Sequence, residues 1–288
     1  MKKAWKCCKI NFLQWRANPK YLLFFVYLVL IMWGTTHGLP QYADALGYSK
    51  ITPWLLPLFL RVNRVYPLLM TGFLILICDL PIRTRQQQFV LLRAGKRAWL
   101  NGQLIYLLVL CLCFSSLLWI SSWFFYFPRL EWTPRWGKII VSLLPDSHNA
   151  AGPYGYLEAS IDILKNTNGL KSTIWTLGMQ TIVCFFLGLL VMLLNLTAHR
   201  GTGVFIAAGL ILLSFFVRFF AGFTDKLRYL IWISPVSWID RSMIGHANQN
   251  LPSYNCAVLM VFGLCFFLIA ILHRNIHRFR IIFVEGDA

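Results

Sequence analysis

Residues 78–106, CDLPIRTRQQQFVLLRAGKRAWLNGQLIY, decide the fold because they separate two long apolar stretches of the chain. Five Lys and Arg residues fall within the fifteen residues 83–97, and so many charges are too costly to lie in hydrocarbon. Residues 83–93 contain no Gly or Pro and are rich in good helix formers. The pattern therefore predicts a short basic helix along a membrane surface, with Phe89 and Leu92 on one face.

The composition is that of a membrane protein. Hydrophobic residues make up 58% of the chain and charged residues 13%, against roughly 45–50% and 25% in soluble domains. The net charge of +17 would suggest nucleic acid binding in a soluble chain. Here the basic residues cluster at the ends of apolar runs, where membrane surfaces attract them. We therefore predict an all-α integral membrane protein with the lipid bilayer, and no nucleic acid, as a partner.

Six transmembrane helices are expected in a single domain that covers residues 1–288. Their expected positions are residues 21–38, a stretch within 51–78, a stretch within 98–128, and residues 172–198, 203–220 and 256–272. The intervening segments are an interfacial helix at 1–20, a basic loop at 80–98, an outer loop at 129–171 with one short helix near 156–164, and a re-entrant or interfacial hairpin at 221–255. A very tight turn at residues 199–201 joins the fourth span to the fifth.

The first twenty residues have the pattern of an interfacial helix. Trp5, Cys8, Phe12 and Trp15 fall within an arc of roughly 80° on a helical wheel, and basic residues occupy the adjoining arc. Such a helix lies with its rings in the acyl boundary and its lysines near lipid phosphates. A secretory signal is the alternative, but no small-residue cleavage site follows the apolar run.

Two arginines, Arg61 and Arg64, interrupt the second expected span. Only fourteen uncharged residues separate Arg64 from Asp79, which is about 21 Å of helix against a hydrocarbon core of roughly 30 Å. Arg64 must therefore lie at or below the outer interface. Either the arginines extend their side chains to the headgroups, or they line a water-filled outer vestibule.

Residues 229–239 are apolar but too short to cross the membrane, because Pro235 interrupts them. Irregular backbone survives at membrane depth only where protein or a cavity shields it, so a hairpin is expected. Trp232 and Trp238 should then lie at headgroup level and are further candidates for the vestibule. Arg218, near the far end of the fifth span, is expected to reach the headgroups in the same way.

The distribution of positive charge predicts that both termini face the cytoplasm. With the N-terminus inside, the inner segments hold fifteen Lys and Arg in 59 residues, and the outer segments hold eleven in 106. The excess inside is the expected one, and the outer loops are short enough for the rule to apply.

Motifs for catalysis and metal binding are missing from the sequence. It contains no HExxH, no Gly-x-Ser-x-Gly and no GxxxxGK[ST], and its three glutamates lie outside the expected spans. His273 and His277 have the i, i+4 spacing of a metal pair, but the arginines beside them favour a basic tail. The eight cysteines suggest packing between helices and no disulfide framework. We therefore predict no cofactor, no metal and no enzyme activity in this chain.

The layout resembles the membrane subunit of ATP-binding-cassette exporters, the ABC-2 type permeases. Local sequences similar to permeases of this kind from Gram-positive bacteria are LICDLP at 76–81, QQQFVLLRAGKRAW at 86–99, GQLIY at 102–106 and SPVSW at 234–238. The resemblance implies two permease subunits, identical or paralogous, in the cell membrane, each contacting a separate subunit that binds and hydrolyses ATP. It also implies export of an amphipathic substrate, lipid-like or peptide.

The same resemblance makes the basic helix between spans two and three a cytosolic coupling helix, which docks on the ATPase subunit. The residues that it assigns to this contact are Arg83, Arg85, Gln86, Gln87, Phe89 and Arg93. A basic face held by anionic lipid is the alternative for these residues. A membrane-embedded enzyme and an ATP-independent interaction or immunity protein are the alternative functions.

Overall fold

The chain is helical, without strands, in the residues that the structure describes. This computed structural model describes residues 2–16, 18–83, 85–142, 164–165, 167–199, 201–221, 225–245 and 251–277. The expectation of a short helix near 156–164 falls almost entirely outside these residues. The all-α prediction is confirmed for the described part of the chain.

Its α-helices vary widely in length. They are α1 (Lys2–Leu13), α2 (Lys20–Thr36), α3 (Leu39–Ala45), α4 (Leu56–Arg61), α5 (Val65–Ile77), α6 (Arg85–Ala94), α7 (Lys96–Phe124), α8 (Lys138–Ser142), α9 (Gly169–Thr197), α10 (Thr202–Ala221) and α11 (Tyr254–Asn275). Short 3₁₀ helices lie at Gln14–Arg16, Phe127–Arg129, Asp225–Ile233, Pro235–Ile239 and Arg241–Met243.

Five helical stretches are long and apolar enough to cross a membrane, so the chain is a multi-pass membrane protein. They are Lys20–Ala45, which joins α2 and α3, then α7, α9, Thr202–Phe220 in α10, and α11. The most buried of the five is α9, which packs against α7, α10 and α11. The core of the bundle therefore lies around α9.

The second expected span is broken in two. Its longer piece, α5, has only 13 residues, or about 20 Å of helix. The chain is extended at Val62, so α4 ends before Arg64 is reached. The new helix, α5, begins at Val65, so Pro67 lies in its first turn. N–H groups of a first turn have no partner within the helix, so the missing N–H of proline costs no hydrogen bond there. Length alone therefore supports five crossings rather than six.

The bundle has two ends with different contents. The α6 end contains α1, α6, the first turn of α7 and the last turns of α9 and α11. The contact between the last turn of α11 and the start of α7 is shown by His273 Nε2, which lies 2.8 Å from Asn101 Oδ1. In the α4 end lie α3, α4, residues 225–245 and the first turn of α9; a side chain at Gly169 would meet the ring of Trp54. Because α7 and α9 run antiparallel, Thr181 Oγ1 reaches Ser115 Oγ at 3.0 Å midway between the two ends.

Candidate functional site

The link between α6 and α7 is the single residue Gly95. Its φ of 84° and ψ of 155° belong to a region that side-chain-bearing residues avoid, so glycine is needed there. The Gly95 N–H donates to the carbonyl of Leu91, and its carbonyl accepts from the Trp99 N–H. A change in the direction of α6 must therefore act directly on the first turn of α7.

The inner face of α6 is anchored by Gln87, which is fully buried. Its amide N–H donates to Asn11 Oδ1 at 2.6 Å, and its amide oxygen accepts from Trp99 Nε1 at 2.9 Å. Asn11 belongs to α1 and Trp99 to α7. One side chain thus holds three helices together at the α6 end.

Close packing on α7 holds α1 in place. A Cβ at Gly102 would lie 2.5 Å from Cys7 Cβ, so only glycine lets the two helices approach this closely. The rings of Phe12 and Tyr106 are 4.9 Å apart, and Trp15 Nε1 donates to Tyr106 Oη at 3.0 Å. Phe12 and Trp15 therefore pack against α7, and their expected place in the acyl boundary stays a prediction.

Burial also affects the two thiols of α1. Cys7 and Cys8 are 3% and 1% exposed, and burial raises the pKa of both thiols above the ordinary value. A thiol with a raised pKa forms less of the reactive thiolate at a given pH. Both side chains therefore pack as small apolar groups between α1 and α7.

The outer face of α6 carries large apolar side chains. Phe89 is 69% exposed and Leu92 is 82% exposed. Between this face and α1 lies a groove of about 400 Å³. Its lining residues are Lys3, Lys6, Cys7, Ile10, Phe89, Val90, Arg93 and Ala94. An apolar floor with a basic rim suits a partner segment that is apolar in the middle and acidic at its edges.

Two of the six residues assigned to the coupling contact lie together on this groove, namely Phe89 and Arg93. Gln87 points into the protein, and Arg83 donates to the carbonyl of Asn195 at the end of α9. The side chains of Arg85 and Gln86 lie outside the described part of the structure. Arg83 and Gln87 therefore position α6, whereas Phe89 and Arg93 are available at its surface.

The four candidates for an outer vestibule differ in how far they are exposed. Arg61 is half-buried at the end of α4, and Arg64 is exposed just before α5. Trp238 is 1% exposed and donates to the Ile231 carbonyl at 2.7 Å. The expectation of a ring among the headgroups was therefore wrong for Trp238, which is buried against the 3₁₀ helix Asp225–Ile233, whereas the Trp232 ring is partly exposed.

Arg218 was expected to reach the headgroups, and this expectation was also wrong, because its side chain is 2% exposed. Its Nη1 donates to the Leu60 carbonyl at 2.7 Å, and its guanidinium lies 4.1 Å from the centre of the Tyr66 ring. The early end of α4 leaves the Leu60 carbonyl without a helical partner. Arg218, on a helix distant in sequence, supplies the hydrogen-bond donor that this carbonyl lacks.

Sequence reasoning missed the contribution of α1 to the groove, from Lys3, Lys6 and Ile10. Their residue types were visible, but no pattern in the sequence places α1 beside α6. Leu92 could have been included, because it shares a face with Phe89. Comparisons of the chain with protein-family models, curated proteins and solved structures give no match. The resemblance to ABC-2 permeases therefore rests on the layout and on the local sequences alone.

Proposed function

We propose that this chain is the permease subunit of an ATP-driven exporter and that the α6–α1 groove binds a separate ATP-hydrolysing subunit. The observation that carries the proposal is the exposure of Phe89 and Leu92 on a short basic helix outside the five long apolar stretches. Phe89 lines the groove, and Leu92 lies on the same face of α6 beside it. Exposed aromatic and aliphatic side chains of this kind are the usual anchors of a protein interface.

In this proposal α4 and α5 together form a sixth crossing, and both termini and α6 lie in the cytoplasm. Two permease subunits, identical or paralogous, pair in the cell membrane and export an amphipathic substrate, lipid-like or peptide. ATP binds the partner subunit, so the permease itself needs no cofactor. The excess of Lys and Arg on the proposed inner side supports this orientation.

The contacts of α6 suggest how movement passes from the partner to the membrane. Gly95 connects α6 directly to α7, and Gln87 connects it to Asn11 and Trp99. A push on Phe89 and Leu92 would reach α1 and α7 together through these connections. The partner's closure on ATP would then tilt a spanning helix rather than deform a flexible loop.

The test is purification of the tagged chain from native membranes, followed by measurement of bound ATPase activity. The double variant Phe89→Ala/Leu92→Ala should retain less than about a tenth of the activity, because two interface anchors are each worth about 1 kcal/mol or more. The control is Phe266→Ala, which removes a 75% exposed ring from α11, away from the groove.

A Leu92→Cys variant, cross-linked in membranes and analysed by mass spectrometry, should identify the partner as an ATPase. An ATPase that stays bound to the double variant would contradict the proposed groove. Purification without any nucleotide-hydrolysing protein would contradict the proposed function and favour an ATP-independent interaction or immunity protein.

A further inference from the structure

Buried polar atoms without hydrogen-bond partners concentrate in the half of the bundle toward the α4 end. The described residues contain eleven such side-chain atoms, and ten of them lie in this half. The ten are Trp119 Nε1, Trp123 Nε1, Tyr126 Oη, Ser172 Oγ, Thr173 Oγ1, Thr176 Oγ1, Gln180 Oε1, Arg218 Nε, Ser234 Oγ and Asp240 Oδ2. Native proteins normally satisfy such atoms with protein or with ordered water, so this grouping needs an explanation.

Four of these residues form a polar seam on α9, namely Ser172, Thr173, Thr176 and Gln180. Their spacing places them within an arc of roughly 100° on one face of the helix. Each is at most 1% exposed. The isoleucine at 174 lies on the opposite face and is 60% exposed. The seam therefore faces the interior of the bundle rather than lipid.

The seam hydroxyls differ from other hydroxyls on the same helix. Thr181 Oγ1 donates to the Leu177 carbonyl at 2.8 Å, and Thr197 Oγ1 donates to the Leu193 carbonyl at 3.0 Å. Hydroxyls in membrane helices commonly satisfy themselves in this way. The hydroxyls of the seam make no such bond, so they remain available to something between the helices.

A second group, the hairpin cluster of Arg218, Ser234 and Asp240, adds buried charge to the same half. The carboxylate of Asp240 is buried, with 1% of the residue exposed. Its Oδ1 accepts from the Ser242 N–H at 2.9 Å and from the Ser242 hydroxyl at 2.7 Å. Its Oδ2 has no hydrogen-bond partner. Among the described carboxylates, none lies within ion-pair distance of Arg218. The 3₁₀ helix Pro235–Ile239, between Ser234 and Asp240, packs against both α9 and α10. The cluster therefore adjoins the seam.

The energetic argument favours water at these positions. A buried polar atom left dry and unpaired costs a free energy comparable to a lost hydrogen bond. Ten such atoms together would match or exceed the net stability of a typical domain. Water can satisfy hydroxyls, indole N–H groups, an amide oxygen and a carboxylate at once, because it both donates and accepts.

The seam extends along the first part of α9. Gln180 lies eleven residues after Gly169, or about 16 Å along a helix of 29 residues, which is about 43 Å long. The Gln180 amide N–H groups contact sulfur atoms, Met70 Sδ and Cys184 Sγ, each at 3.3 Å. Further along, a Cβ at Gly188 would lie 2.3 Å from the Leu107 side chain, which closes the space.

We propose that the polar seam and the hairpin cluster hold water that enters from the α4 end and stops at Gln180. This half of the bundle is then a hydrated, blind-ended crevice, able to take hydroxyl or amide groups of a ligand from that side. The inference goes beyond the proposed exporter function and does not depend on it, since it needs only the membrane placement and the buried atoms. If the Phe89→Ala/Leu92→Ala experiment contradicted the proposed function, the proposal of a hydrated crevice would be unaffected.

Thiol protection by silver ion tests this inference, because hydrated silver ion crosses lipid poorly and is small enough to follow water. Ser172→Cys and Thr176→Cys would be treated with silver nitrate in intact cells and in inside-out vesicles. Site-resolved mass spectrometry after denaturing alkylation then measures protection. Both thiols should be protected from one side at least about tenfold faster than Ile174→Cys, because thiols facing hydrocarbon form little thiolate.

The unmodified protein supplies a readout that does not depend on the folding of a variant. Native Cys184, next to Gln180, should be protected faster than native Cys111, although both are fully buried. Equal protection at the seam and at position 174, with Cys184 no faster than Cys111, would overturn the proposal and show a dry seam. Protection of Ser172→Cys and Thr176→Cys from the same side as α6 would overturn the proposed direction of entry.

Discussion

The two ends of the bundle treat buried polar side chains in opposite ways. At the α6 end, Asn195 donates to the Leu80 carbonyl at 2.7 Å and accepts from the N–H groups of Gly201 and Gly203 at 3.1 Å. Asn11 Nδ2 is the single atom left unpaired there among the described residues. At the α4 end, the seam and the hairpin cluster leave most of their polar atoms unpaired.

One bundle of uniformly apolar helices can therefore have a rigid end and a hydrated end. A fully satisfied network specifies one arrangement of helices, whereas unpaired polar atoms admit water and alternative partners. A rigid α6 end suits the transmission of force in the proposed exporter. A hydrated α4 end suits the handling of polar groups at the opposite surface. Substitutions at matched positions in the two ends test this contrast.

The largest effect is expected from Asn195→Leu, which removes three hydrogen bonds. It leaves the Leu80 carbonyl, the buried Gly203 N–H and the part-buried Gly201 N–H without these partners. Each unsatisfied group costs about 1–3 kcal/mol, so the free energy of unfolding should fall by roughly 3–6 kcal/mol. Denaturation in detergent, followed by circular dichroism, measures this change.

The control for Asn195 is Thr197→Val on the same helix. The Thr197 hydroxyl bonds only within α9 and is exposed, so its loss should change the unfolding midpoint little. If the two variants unfolded at the same midpoint, the network around Asn195 would not be a source of rigidity, and the contrast between the ends would fail.

The positions of the helices at the two ends could be predicted from the sequence, because they depend on local residues. Long charge-free runs predicted the apolar helices well: the span expected at 203–220 corresponds to Thr202–Ala221, and the basic helix expected within 83–93 corresponds to Arg85–Ala94. A Gly or a cluster of charges marks these boundaries locally. Apolar runs, and the glycines or charges that end them, can be read directly from the sequence.

The partners of polar side chains could not be predicted in the same way. Helices that are apolar on all sides have no periodicity that says which face meets protein and which meets lipid. Arg218 therefore looked like a residue that reaches the headgroups, although its partner carbonyl belongs to Leu60, 158 positions earlier. Gln87 looked like a surface residue because it lies on a short basic helix, and nothing local links it to Asn11, 76 positions away.

An intermediate effect is expected from Gly102→Val, which should separate α1 from α7. Because a Cβ would lie 2.5 Å from Cys7 Cβ and 3.0 Å from the Ala4 carbonyl, the helices must move apart, at a cost of about 2 kcal/mol. Burial now raises the pKa of Cys7 and Cys8, so both form little thiolate at pH 8. Release of α1 should lower both pKa values toward the ordinary one and speed alkylation by N-ethylmaleimide.

Mass spectrometry of the two thiols over pH 7 to 9 measures this change. In the unmodified protein, alkylation should rise steeply only at the upper end of this range, since the raised pKa delays thiolate formation. Gly34→Val is the control, because no atom lies within 4 Å of its Cβ position. Equal alkylation in all three proteins would mean that α1 is not held by the contact at Gly102.

The smallest effect is expected at two ion pairs, one at each end, which have the same 2.6 Å separation. The pair at the α6 end is the more buried: the side chains of Lys20 and Asp79 are 15% and 37% exposed. At the α4 end, the side chains of Arg129 and Asp44 are 41% and 57% exposed. Partial exposure limits the loss on Asp79→Asn to under about 1 kcal/mol. The Asp44→Asn variant should unfold like the unmodified protein, because water and salt screen its exposed partner.

Salt separates the two cases further. At about 1 M salt the Debye length is roughly 3 Å, and exposed pairs lose their attraction, whereas partly buried pairs are screened less. The difference between Asp79→Asn and the unmodified protein should therefore persist in part at high salt. If Asp44→Asn instead proved the more destabilising of the two, the exposed pair would stabilise the α4 end more than the partly buried pair stabilises the α6 end, and the contrast in rigidity between the two ends would fail.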